Sequence, residues 1–275
     1  MSKELRYNEP WILQRADPYV YRHTDGNYYF TASVPEYDRI VLRRSKTLAG
    51  LKGAEEVTVW EKHKEGIMSE HIWAPELHYL DGKWYIYFAG GDKDDIWAIR
   101  PYVLECADAD PLTGAWTEKG KMGRADEDEF SFEAFSLDAT VFENKGKHYY
   151  VWAEKVGVGK QISNLYIGEM ETPYKLKTVQ VLLTTPDYDW ERVGFWVNEG
   201  PAVLVRNGKV IGRENYKIEN TQHSTNEEIL TDFVKQFYQN SEFIPEEILT
   251  EYEVDDSEAI MKWLSGIRKR KVTIA

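Results

Sequence analysis

An all-β fold with a short α-helical C-terminal segment is what this sequence predicts, and three observations predict it. A hairpin pattern recurs along the first 210 residues. The strands that follow its turns alternate with period two, as in "KWYIYFAG". After Ile211 the pattern stops and helical spacing takes over.

Four segments carry the hairpin: "DPYVYRHTDGNYYFTAS" from Asp17, "APELHYLDGKWYIYFAG" from Ala74, "DATVFENKGKHYYVWAE" from Asp138 and "EGPAVLVRNGKV" from Glu199. Each is a short apolar strand, a turn centred on Gly26, Gly82, Gly146 or Gly208, and a second strand rich in Tyr, Trp, Phe and Val. Asp25-Gly26, Asp81-Gly82 and Asn207-Gly208 suit tight turns because both residues tolerate positive φ. The glycines recur about every sixty residues, which suits a four-stranded unit with decorated loops. "RIVLRRS" and "YVLECADA" supply third strands, and "TVWEK" and "WTEKG" follow later in their units. A β-propeller is the favoured architecture, with a β-sandwich carrying irregular loops as the alternative.

The tail reads differently. Ile229, Leu230, Phe233, Val234, Phe237 and Tyr238 recur at helical spacing, so residues 226–239 are expected to be a helix. Thr225 and Glu228 form its capping box, and Pro245 breaks the chain. "DDSEAIMKWLSG" is a second short helix that stops at Gly266, and "RKRKVTI" is a basic turn entering a strand.

Composition narrows the function. The net charge of −13 argues against a phosphate-backbone partner, so nucleic acid is not an expected ligand and a neutral solute such as a sugar fits better. Aromatic residues make up 14% of the chain, and nine of the ten Trp precede residue 200; such rings stack on sugar faces as well as fill cores. Cys106 is alone, which excludes an internal disulfide framework and a Cys-based zinc site. No cofactor is implied. No run is apolar enough to span a bilayer, and "MSKELRYNEPW" has no leader-like core, so a soluble cytoplasmic protein with no membrane partner is expected.

Asp17, Asp138 and Glu199 each stand just before the apolar part of a unit's first strand. In a propeller those strands line the central channel, so three acids from three units would converge on one mouth. Converging carboxylates raise one another's pKa, which is what general acid and base chemistry on a glycoside needs. The second unit carries Ala74 in this slot, with Glu76 two residues on. Trp73, Phe195 and Trp196 are candidates for substrate-binding rings at the mouth, or for packing between units. His78 is expected to be a satisfied structural histidine. The acidic stretch 125–133, "ADEDEFSFE", is expected to be a solvated rim, since it lacks the spacing and glycine of a calcium loop; no metal site is expected.

"RADPYVYR", "IWAPELHYLDGKWYIYFAG", "SLDATVFEN" and "VNEGPAVLVRNGK" resemble the motifs of glycoside hydrolase family 43, over residues 8–210. The resemblance implies a five-bladed β-propeller acting on arabinose- or xylose-containing oligosaccharides as an α-L-arabinofuranosidase or β-xylosidase. It implies Asp17 as general base, Glu199 as general acid and Asp138 as the residue that orients the acid and keeps its pKa raised, with inversion at the anomeric carbon. "NGKVIGRENYKIENTQ", "FVKQFY", "IPEEIL" and "WLSGIRKRKVTI" resemble excinuclease C, the incision protein of nucleotide-excision repair, in the stretch leading into its nuclease domain. The expected organisation is therefore an incomplete five-bladed propeller, about three blades plus the first strands of a fourth, over residues 1–210, and a helical segment over 211–275. The two are expected to be a fusion joined where both families pass through a phrase like "VRNGKV", and hydrolysis is expected to be weak or absent. The alternatives are a fragment of the repair protein and a carbohydrate-binding remnant without catalysis. His223 does not stand in the context of the family's late histidine.

Overall fold

The computed structural model describes residues 10–155, 163–192, 194–203, 205–206, 209–210, 225–239, 244–245, 247–248, 250 and 254–274. It is mostly β-sheet with two short α-helices, and the chain divides into two compact units, Met1–Arg213 and Glu214–Ala275.

The first unit is built from antiparallel sheets whose strands pair in chain order. Strands β1 (Ala16–Arg22), β2 (Tyr28–Ser33), β3 (Arg39–Ser45) and β4 (Val57–Glu61) form the first. The second is β5 (Ile67–Leu80), β6 (Lys83–Asp92), β7 (Arg100–Cys106) and β8 (Trp116–Lys121). The third is β9 (Ser136–Asn144), β10 (Lys147–Lys155) and β11 (Ser163–Thr172), with β12 (Lys175–Leu176) and β13 (Val181–Thr184) both pairing with β11. A short pair, β14 (Val205–Arg206) and β15 (Lys209–Val210), follows. At two turns both central residues take positive φ: Asp81 and Gly82 at +50° and +83°, and Lys145 and Gly146 at +54° and +73°; at Asp25-Gly26 only Gly26 does, at +79°, and the turn closes through Gly26 N–H donating to His23 O. Two consecutive positive-φ residues match the right-handed twist of the strands they join. Gly208 lies outside the described residues.

Period-two alternation explains how the sheets stack. On β6, Trp84, Ile86 and Phe88 join a core with Tyr29, Ile40 and Leu42 of the first sheet. Tyr85 and Tyr87 point the other way, into a core with Val141, Tyr150, Trp152 and Leu176 of the third. The middle sheet is thus apolar on both faces, which is why "WYIYFA" reads as a continuous run. Full burial of one such side chain contributes about 1.5–3 kcal/mol. By contrast β1 is an edge, with Val20 38% exposed. Strand β5 runs beside β1 on one side and β9 on the other.

The second unit contains α1 (Asn226–Gln239), β16 (Glu247–Ile248), α2 (Ser257–Arg268) and β17 (Thr273–Ile274), the two strands pairing in parallel. Its core is Val234, Ile244, Ile248, Val254, Ile260, Leu264 and Val272. The expected capping box forms: Thr225 N–H donates to Glu228 Oε2 at 3.0 Å, and Glu228 N–H donates to Thr225 Oγ1 at 3.2 Å. Helix α2 does not stop at Gly266. It runs two residues further to Arg268 and ends at Lys269, whose φ is +60°. A glycine inside a helix costs only about 1 kcal/mol against alanine, and burial of Ile260 and Leu264 outweighs that.

Candidate active site

Three first strands break their pairing at the same place. The register slips between Ala16 and Tyr19 on β1, between Trp73 and Glu76 on β5, and between Leu137 and Thr140 on β9. Within each bulge one non-glycine residue adopts positive φ: Asp17 at +49°, Ala74 at +45° and Asp138 at +49°. A bulge re-aims the side chain it carries, and here the same device recurs in three sheets. Asp17, Ala74 and Asp138 line one cavity of about 480 Å³, and so do Tyr19, Glu76 and Thr140, two residues further along each strand. Phe142 and Gly200–Val203 complete the described lining with Pro18 and Val141. That volume lies within the usual range for small-molecule sites.

Asp17 is anchored through Ser33. The Ser33 hydroxyl donates to Asp17 Oδ2 at 2.8 Å and accepts the Ala74 N–H at 2.8 Å, so one buried hydroxyl ties the first two sheets together at the cavity. Asp138 Oδ2 accepts the Gly200 N–H at 3.1 Å, which holds the segment next to Glu199. Burial raises the Asp138 pKa to about 7, and the charges of Glu199, Asp17 and Glu76 push in the same direction against the Gly200 hydrogen bond. Glu199 keeps an exposed surface, yet burial of the rest of it and the Asp17 charge raise its pKa above the ordinary carboxylate range.

The sequence treats the three acids as equivalent, and the backbone separates them. Asp17 and Asp138 share the bulge position, whereas in the fourth segment it is Gly200, φ +62°, that takes the left-handed conformation. Glu199 stands one residue earlier.

The aromatic candidates are elsewhere. Trp73 packs against His71, with ring centroids 4.5 Å apart, and against Tyr37 and Trp97, and it is not among the described cavity lining. Phe195 is 66% exposed, and Trp196 lies under the Arg192 guanidinium at 4.5 Å; neither is in that lining. His78 is buried and partnered, its Nε2 standing 2.9 Å from Glu76 Oε2. Sequence reasoning does not single out Glu76, Tyr19, Thr140 or Ser33 as site residues. The two-residue offset from the bulge position is the signal that finds the first three.

The acidic stretch 125–133 is not simply a solvated rim. Asp128 is 2% exposed and accepts from Phe130 N, Ser131 N, Ser131 Oγ and Gln180 N, so it caps the loop from inside. Glu154, also buried, accepts from Phe132 N, Ala134 N and Trp152 Nε1 and fixes the loop that leads into β9. Among the described residues no cluster of His, Cys, Asp and Glu is arranged to hold a metal ion, and no helix is long and apolar enough to cross a membrane.

Two family models match the chain. Residues 7–211 match the model of glycosyl hydrolases family 43, and residues 201–275 match that of the UvrC ribonuclease H-like domain. An extracellular exo-α-(1→5)-L-arabinofuranosidase of Streptomyces chartreusis is 51% identical over 204 residues, covering 74% of this chain and 60% of that protein. The crystal structure of an α-L-arabinofuranosidase from Lactobacillus brevis is 53% identical, with a TM-score of 0.66 over 73% of this chain and 62% of that one. The UvrABC system protein C of Clostridioides difficile is 46% identical over 71 residues, 26% of this chain and 12% of that protein. The chain therefore spans about 60% of the Streptomyces chartreusis enzyme and a small part of the repair protein. The cytoplasmic location expected above does not stand: the Streptomyces chartreusis and Streptomyces avermitilis relatives are extracellular. A fold with large aromatic cores needs no disulfide, so one cysteine does not favour the cytoplasm. Across most of its length, residues 7–211, the chain belongs to glycosyl hydrolases family 43.

Proposed function

We propose that residues 1–210 are part of a β-propeller, three blades and the start of a fourth, whose cavity hydrolyses arabinose-containing oligosaccharides outside the cell with inversion. Asp17 takes a proton from a water molecule, which attacks the anomeric carbon. Glu199 gives its proton to the departing glycosidic oxygen. Asp138 orients Glu199 and holds its pKa up. Inversion needs base and acid ~6.5–9.5 Å apart, so that water fits between base and sugar. The observation that carries this reading is the Asp138–Gly200 hydrogen bond, which brings the Glu199 segment to the cavity that Asp17 and Asp138 line. The raised pKa of Glu199 supports its role as proton donor.

Turnover is expected to be well below that of the arabinofuranosidase relatives. From residue 201 the chain matches a second family, where family 43 propellers build further wall, and β1 is exposed along its edge. We take residues 211–275 as a separate segment of the UvrC type, joined in a chimera where the two matches overlap at "PAVLVRNGKVI". Release of arabinose from an aryl α-L-arabinofuranoside tests this. The expected result is slow turnover that vanishes in Glu199→Gln. Slow turnover that survives Glu199→Gln removes the assignment of the acid, and fast turnover refutes the expected impairment. Sugar binding without turnover, surviving Asp17→Ala, favours a binding remnant instead.

A further inference from the structure

Asp17, Glu76 and Asp138 line the cavity, and Glu199 precedes Gly200 in its wall. Of these four acids the proposed chemistry leaves out Glu76. Its strand carries Ala74 where β1 and β9 carry Asp17 and Asp138, so the acid of this sheet is displaced two residues along the strand. Glu76 lines the same cavity two residues further along β5. A fourth like charge is unfavourable there, and Glu76 indeed adds to the field that pushes the Asp138 pKa up.

The carboxylate is held in place. His78, 4% exposed, stands with Nε2 2.9 Å from Glu76 Oε2 and Nδ1 3.5 Å from the Tyr19 hydroxyl. A neutral imidazole satisfies both contacts, donating from Nε2 to Glu76 and facing the Tyr19 O–H with Nδ1. Tyr19 and His78 also pack with ring centroids 5.1 Å apart. Among the described residues, Glu76 Oε1 has no hydrogen-bond partner. A carboxylate fixed through one oxygen, with the other unpaired at a cavity wall, is a strong acceptor for a hydroxyl. Tyr19, in the same wall, sets an apolar ring beside it.

We infer that Glu76, oriented by His78, is a sugar-binding residue that accepts a hydrogen bond from a ring hydroxyl of the arabinose unit in the cavity; this rests on the hydrolase reading of the site. The full chain is titrated calorimetrically with α-(1→5)-linked L-arabinobiose, and with methyl α-L-arabinofuranoside and its singly deoxygenated analogues. Binding needs no turnover, so a slow enzyme is still testable. Glu76→Gln is expected to weaken binding of the parent sugars about ten-fold or more, the usual loss for a hydrogen bond to a charged group. One deoxy sugar is expected to lose about as much against the wild-type chain, and to lose nothing further against Glu76→Gln. The deoxy series uses the wild-type chain, so a variant that misfolds does not block the test. If every deoxy sugar binds like its parent, or Glu76→Gln binds the parent sugars unchanged, the inference falls and the hydrolase reading stands. If the wild-type chain binds no arabinoside, both fall.

Discussion

Asp138 keeps its proton more tightly in the folded chain than in the unfolded one, because folding buries it beside other carboxylates. The stabilisation from that proton is complete below about pH 4, the ordinary carboxylate range, and is lost as the pH rises through about 7. Above that, the ionised group costs the fold up to about 4 kcal/mol, an upper bound from a shift of about three pKa units. Glu199, shifted the same way, adds to the trend. Asp138→Asn keeps an oxygen for the Gly200 N–H and removes the charge. The expected outcome is a wild-type melting temperature that falls between pH 5 and pH 8, and a variant whose melting temperature changes less and is higher at pH 8. Equal pH profiles would show that Asp138 is not perturbed. Ser33 gives the complementary case. Ser33→Ala leaves the buried Ala74 N–H without its acceptor and Asp17 without its donor, and a loss of about 1–3 kcal/mol is expected in urea denaturation. Asp17, Asp138 and Glu199 are legible in the sequence because each sits at the head of a hairpin unit. Glu76 is not, because it is displaced from that position, and only its pairing with His78 marks it.

At the scale of elements, the first strands and their hairpins are the most legible part. "RIVLRRS" coincides with β3, and the period-two runs after the glycine turns fall on β2, β6 and β10. Local chemistry suffices there, since turn residues and alternation set both ends of a strand. The loop around Asp128 is not legible, because one of its donors, Gln180, lies 52 residues away. The end of α2 escapes the sequence for the same reason: the packing that carries it past Gly266 is tertiary. Strand β13 has its own consequence. Val181, Leu182 and Leu183 are 55%, 53% and 51% exposed on a strand that pairs only with β11 among the described residues. Exposed apolar edge strands template association. Leu182→Lys is expected to lower concentration-dependent light scattering while leaving the far-ultraviolet circular dichroism unchanged; unchanged scattering would show that β13 is not the contact.

For the whole molecule, the two compact units have separate cores. One is built of stacked sheets around Trp84 and Trp152, the other of two helices and a strand pair around Leu264. Cooperative unfolding follows a shared core, so calorimetry is expected to resolve two transitions. The larger one should respond to Ser33→Ala, and a substitution such as Leu264→Ala should move only the smaller, by about 2–5 kcal/mol. A single transition shifted by both would show one cooperative fold.

The sequence alone determined the hairpin units, the helical tail, the change of pattern near residue 210 and the three candidate acids, because turn chemistry, side-chain period and motif are local properties of the chain. Tertiary structure alone decided that Asp17 and Asp138 share a bulged backbone position while Glu199 is offset by one, that Ser33 links the first two sheets, and that His78 stands behind Glu76, which lines the cavity. Those facts depend on where strands slip in register and on which sheets stand side by side. Such contacts join residues tens of positions apart, so no short window of sequence contains them.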